Sequence, residues 1–127
     1  MTAVDVSREA LKLARRRVGA VGRVRYVRSD IRGLDLGRTF DLIFCAEMLY
    51  YLPIDGETAP VLRTLKRHLG PDGILMTVMP ASPDSGGGGP AELWRARLLE
   101  GGFRSVFEED VPDQTRPYLI QIYERAD

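Results

Sequence analysis

The chain has 127 residues, 44% of them hydrophobic and 28% charged, which is enough for one buried core. Eighteen basic residues balance eighteen acidic ones, so the net charge of zero argues against a polyanion binder and against a highly charged disordered chain. A single cysteine, Cys45, excludes an internal disulfide, and with His68 as the only histidine no zinc set can form. No apolar run approaches the roughly 20 residues of a membrane span. The first residues carry Asp5, Arg8 and Glu9 where a signal peptide would be apolar. The expectation is one cytoplasmic domain over residues 1–127, with no membrane and no nucleic-acid partner. Arginine makes up nearly all the basic residues, which speaks to base composition rather than to a partner.

Residues 2–6 read as the end of a strand, and Ser7 is a good cap for a helix over Arg8–Val18. Leu11, Ala14 and Val18 give that helix an apolar stripe, and Arg15–Arg17 suit its C-terminal dipole. The arginine run reads as a solvated face, with nucleic acid the minor alternative. Gly19 and Gly22 end the helix, and a strand over Val24–Arg28 closes on Ser29-Asp30. Phe40–Cys45 is apolar at nearly every position and reads as a central parallel strand buried on both faces. Ala46–Leu52 follows, stopped by Pro53. A helix is expected over Thr58–Leu69, ended by Gly70-Pro71, then a turn at Asp72-Gly73 and a strand over Ile74–Met79. Residues 80–90 read by composition as a flexible, glycine-rich loop, and a helix is expected over Ala91–Glu100 with Trp94 and Leu98 in the core. Two strands, Phe103–Asp110 and Tyr118–Arg125, have no helix between them and read as an antiparallel hairpin. Strands alternating with helices predict an α/β fold around a mostly parallel sheet.

Ligands of such sheets bind beyond the carboxyl ends of the strands. Those ends carry Asp5, Asp30 and Cys45-Ala46-Glu47. A carboxylate there can accept both hydroxyls of a ribose diol, and a second can accept from an adenine amine. The competing reading, of equal weight, has Asp5 and Asp30 only capping turns or helices. Gly86–Gly89 lacks the lysine of a phosphate loop and reads as a connection. Cys45 and His68 as a nucleophile–base pair is the weakest candidate, since His68 is expected to face solvent or cap a helix end. Glu47 is a candidate general base, against the blander readings of a helix-start acid or a polar cofactor contact. Tyr50 and Tyr51 are candidates to line an acceptor pocket, one of them expected in the core.

Four segments carry a resemblance: Val4–Ser7 before a helix; Val24–Ile31; Phe40–Leu52; and Leu69–Leu75. In this order and spacing they resemble the Rossmann-like S-adenosylmethionine-dependent methyltransferases, in particular the nodulation-type N-methyltransferase branch. The resemblance implies a Rossmann-like fold and S-adenosylmethionine as cofactor. It places Asp5 at the ribose hydroxyls, Val6 and Ile31 beside the adenine, and Asp30 at the adenine amine. It puts Cys45 and Ala46 near the methionine moiety, and Glu47 at the opening of the segment that faces a small-molecule acceptor.

The family pattern begins with a strand and a loop, roughly Gly-x-Gly-x-Gly, ahead of the position of Asp5. Met1 stands four residues before Asp5, so the sequence reads as N-terminally truncated. In the family's sheet order of three, two, one, four, five, seven, six, loss of strand one leaves two pieces with no shared edge. This implies weak or absent cofactor binding. The pieces would close on each other or form a homo-oligomer through the sheet edges. Alongside the enzyme stands the alternative of a non-catalytic scaffold module that completes its sheet with another chain.

Overall fold

In the computed structural model, which describes residues 1–81 and 90–127, the chain divides into two compact units, Met1–Leu34 and Asp35–Asp127. The glycine run Gly86–Gly89 lies outside the described residues.

The first unit is a two-stranded parallel sheet with one helix. β1 (Thr2–Asp5) pairs with β2 (Arg25–Arg28), Asp5 opposite Arg28, and α1 (Arg8–Val18) connects them. Ser7 caps α1 as expected, its hydroxyl accepting the Ala10 N–H at 3.1 Å. Gly19 ends the helix at φ +61°, a backbone open to glycine, and its N–H reaches the Arg15 carbonyl. The stripe Leu11, Ala14 and Val18 is half-buried.

The second unit is a four-stranded sheet in the order β3-β4-β6-β5. β3 (Phe40–Ala46) runs parallel to β4 (Leu69–Pro80), and the helix α2 (Ile54–His68) lies between them in sequence. The adjacent, parallel pairing expected of these strands is therefore present. α3 (Pro90–Glu100) leads to β5 (Phe103–Val111), and β6 (Tyr118–Arg125) returns antiparallel to both β4 and β5. The mixed α/β class is as predicted. Val61 and Leu65 of α2, Trp94 and Leu98 of α3, and Leu75, Met79, Phe103 and Tyr123 of the sheet form the core. Burying side chains of this size contributes roughly 1.5–3 kcal/mol each.

Three local expectations are corrected. α2 starts at Ile54, four residues before the predicted Thr58, and contains Gly56 at φ +90° and Pro60. Both residues read as breakers in sequence. β4 begins at Leu69, and Gly70–Gly73 is a bulge within it: Phe40 pairs with Leu69, but Leu42 already pairs with Ile74. A Cβ on Gly73 would stand 2.9 Å from the Phe40 carbonyl, so the close approach of the two strands requires glycine there. Finally, β3 is not buried on both faces. Leu42 is 54% and Phe44 57% exposed, while Cys45 on the other face is buried. The reason is position: β3 pairs with β4 alone and β1 with β2 alone among the described residues, so each is an edge.

Candidate functional site

In the first unit the parallel register brings two strand ends to one edge. The Ser29 N–H donates to the Asp5 carbonyl at 3.1 Å, so Asp5-Val6 and Asp30-Ile31 leave the sheet side by side. Asp5 is exposed, and its Oδ1 accepts the Ser7 N–H at 2.7 Å. Its second oxygen has no protein donor among the described residues, which suits acceptance of a hydroxyl. Val6 is exposed, with its carbonyl held by Arg28 Nε at 3.1 Å. Asp30 caps the 3-10 turn Ile31–Gly33: its Oδ1 accepts the Arg32 N–H and Nε, both at 2.9 Å. The side-chain bond to Arg32, with the backbone bond beside it, holds the Asp30 carboxyl down at about 2. Ile31 is half-buried.

The second unit gathers the other candidates at the carboxyl end of β3. Cys45 is buried, and desolvation pushes its thiol up to about 12, so it is no nucleophile at neutral pH. Ala46 is exposed. Glu47 follows at φ +50°, a left-handed conformation rare outside glycine and asparagine, with its N–H bonded to the Val78 carbonyl at 2.8 Å. The 3-10 turn Leu49–Tyr51 comes next. Its cap is Met48, without a side-chain bond, so Glu47 is not acting as a helix-start acid. One of the two tyrosines was expected in the core; Leu49 takes that place instead. Tyr50 is half-buried and Tyr51 is 76% exposed, their rings 4.3 Å apart. The Tyr50 hydroxyl beside it pushes the Tyr51 phenol above the ordinary tyrosine range.

Arg116, on the loop between β5 and β6, is the residue the sequence reading missed. Its Nη2 donates to the Tyr50 hydroxyl at 3.0 Å and stands 3.2 Å from Glu47 Oε1. The available signal was Asp113-x-Thr115, an Asx-turn pattern. Asp113 Oδ1 accepts the Thr115 N–H at 2.7 Å, its hydroxyl at 2.8 Å and the Arg116 N–H at 3.1 Å.

His68 corrects a further expectation. It is 3% exposed rather than solvent-facing, and both ring nitrogens are engaged within the protein. No set of side chains among the described residues can hold a metal, and no helix among them is long and apolar enough to cross a membrane.

Residues 1–73 match the sequence model of a family described as a methyltransferase domain. Nodulation protein S of Rhizobium tropici is 37% identical over 76 residues, which are 60% of this chain and 32% of that protein. The chain thus matches about a third of the length of that curated relative. The N-methyltransferase NodS from Bradyrhizobium japonicum WM9, solved with S-adenosyl-L-homocysteine, superposes with a TM-score of 0.80. That similarity covers 99% of this chain and 66% of that one at 22% identity. An S-adenosylmethionine-dependent methyltransferase from Clostridium acetobutylicum ATCC 824 gives 0.76 at 16% identity, over 99% of this chain and 75% of that one. At these identities the structural likeness is one of fold.

Proposed function

The chain belongs to the methyltransferase domain family, and from that premise we propose that it uses S-adenosylmethionine to methylate a small-molecule amine or hydroxyl. One observation carries the reading: β1 and β2 end together on Asp5-Val6 and Asp30-Ile31, exposing an acceptor carboxylate at the edge where sheets of this class bind ligands. Asp5 would hold the ribose hydroxyls, with its open oxygen as acceptor. Val6 and Ile31 would flank the adenine, and Asp30, both of whose oxygens accept from Arg32, would meet the adenine amine by giving up part of that pairing. When bound, the cofactor supplies a sulfonium methyl for the acceptor's lone pair. Glu47 takes the proton the acceptor gives up, and Tyr50 and Tyr51 line the acceptor's approach. The name of the relative NodS, an N-methyltransferase, favours an amine.

The open edges of β1 and β3 support a second reading, a non-catalytic module that completes its sheets by oligomerisation or with another chain. Calorimetric titration separates the two. The enzyme reading expects S-adenosylmethionine and S-adenosylhomocysteine to bind about equally, because Asp5 and Asp30 act on the adenosine end they share. Asp5→Ala should weaken both by about tenfold, the worth of a charge-assisted hydrogen bond. No heat with either ligand defeats the enzyme reading and leaves the module.

A further inference from the structure

Arg116 joins three elements at the carboxyl end of the parallel pair β3–β4. Pro80, the last residue of β4, pairs with Tyr118, and the Ala81 N–H donates to the Pro117 carbonyl at 2.9 Å. The loop carrying Arg116 is thereby tied to the end of the sheet where ligands bind. The guanidinium is then fixed from several sides: the Tyr50 hydroxyl at 3.0 Å, Glu47 Oε1 at 3.2 Å, and the rings of Tyr50 and Tyr118 at 6.0 and 5.9 Å. Its backbone is pinned by Asp113.

An ordinary surface ion pair needs no special backbone. Here the acid sits at φ +50°, a conformation costing on the order of 1–3 kcal/mol, and glutamate carries it rather than glycine. Glu47 Oε1 is shut away from solvent and accepts no hydrogen bond, and the Arg116 guanidinium 3.2 Å away is the charge it faces. An unpaired carboxylate in this place would bind an ammonium ion tightly. An ammonium nitrogen has no lone pair and cannot accept a methyl. Resting on the methyltransferase reading above, we propose that Arg116 is a specificity-determining residue. By occupying Glu47 it denies the site to the protonated amine, so that the acceptor enters in its neutral, nucleophilic form.

Sinefungin tests this directly, because it carries an ammonium group on the carbon that replaces the methyl-bearing sulfonium. If Glu47 serves the acceptor side, the affinity for that ammonium follows the charge Glu47 presents. The measurement is the ratio of sinefungin to S-adenosylhomocysteine affinity, by calorimetry, in the unsubstituted chain, Arg116→Gln, Arg116→Lys, Glu47→Gln and the Arg116→Gln/Glu47→Gln double variant. Freeing Glu47 in Arg116→Gln should raise the preference for sinefungin by about tenfold, one charge-assisted hydrogen bond. Arg116→Lys should stay near the unsubstituted ratio, and the double variant should lose the gain. An equal effect of Arg116→Gln on both ligands, or a gain that persists without Glu47, overturns the proposal. Failure of the unsubstituted chain to bind S-adenosylhomocysteine instead sinks the underlying methyltransferase reading.

Discussion

The Leu36 amide donates to Nε2 of His68 at 2.9 Å. The other ring nitrogen, Nδ1, lies 2.8 Å from the Thr64 carbonyl one turn back on α2. The pair of contacts sets the tautomer: Nε2 must accept, so Nδ1 carries the hydrogen. His68 is thus a buried cross-link between the last turn of α2 and the segment leading into β3. His68→Phe should keep the volume and lose both bonds, leaving the Leu36 amide unpaired. We expect a loss of about 2–3 kcal/mol, seen as a lower urea midpoint at unchanged slope. An unchanged midpoint would deny the cross-link any part in stability.

Asp30 titrates at about 2 because Arg32 bonds to its ionised form. The sign follows: a depressed carboxylate stabilises the fold above its unfolded pKa of about 3.9 and loses that contribution as pH falls toward 2. The pair is exposed and screened by salt, so its worth is under about 1 kcal/mol. Carboxyl NMR should place the Asp30 midpoint near 2, moving up toward the ordinary aspartate value in Arg32→Ala.

Much of this structure was readable from local patterns. Ser7 ahead of Leu11, Ala14 and Val18 marked α1, and the apolar runs of β3 and β4 around one helix marked a parallel pair. The candidates Asp5 and Asp30 followed from their place after strands. What could not be read depends on contacts between residues far apart in sequence. Exposure of Leu42 and Phe44 is decided by which strands flank β3, and apolar composition alone looks the same in a central strand. His68 at the end of α2 reads as solvent-facing because its partner, Leu36, is 32 positions away. Arg116 reaches Glu47 only through the β4–β6 register, and that pairing leaves no mark in the loop itself.

Cys45 titrates at about 12 through burial. At pH 8 its thiolate fraction in the folded chain is about 10³-fold below that of an unfolded cysteine, so iodoacetamide should label it only after denaturation. A raised thiol contributes fully below its unfolded value near 8.5 and is lost as pH climbs toward 12, by up to roughly 1.4 kcal/mol per unit. Cys45→Ala should remove that part of the alkaline slope. The share due to Tyr123, whose buried phenol is also pushed up, remains at higher pH. Rapid labelling of the folded chain at pH 8 would contradict the buried position.

Leu42 and Phe44 stand on the exposed face of an edge strand, with the uncharged Ile43 between them and the uncharged Ile74 and Met76 opposite them in the ladder. An apolar edge of this kind is a template for pairing. Light scattering should show a mass that rises with concentration, and Phe44→Lys should lower it by placing a charge on the open face. A constant monomer mass before and after the substitution would remove the proposed association through this edge.

Asp113 is the residue on which the position of Arg116 depends. Its carboxylate accepts two backbone amides and a hydroxyl, and those bonds hold it below the ordinary aspartate range. A depressed carboxylate keeps its contribution above the unfolded value and loses it as pH falls, so the turn should persist below the pH at which an ordinary aspartate protonates. Asp113→Ala removes all three acceptor contacts at once. Hydrogen exchange at the Thr115 and Arg116 amides should then accelerate by about tenfold, while the core amides of β4 and β6 stay unchanged. Asp113→Asn keeps an oxygen in the same place and should exchange at close to the original rate. The consequence reaches the site through Arg116: with its backbone released, the guanidinium loses its aim, and Asp113→Ala should move the sinefungin preference in the direction of Arg116→Gln. Faster exchange with an unmoved preference would mean that Tyr50 and Glu47 hold the guanidinium without help from the turn.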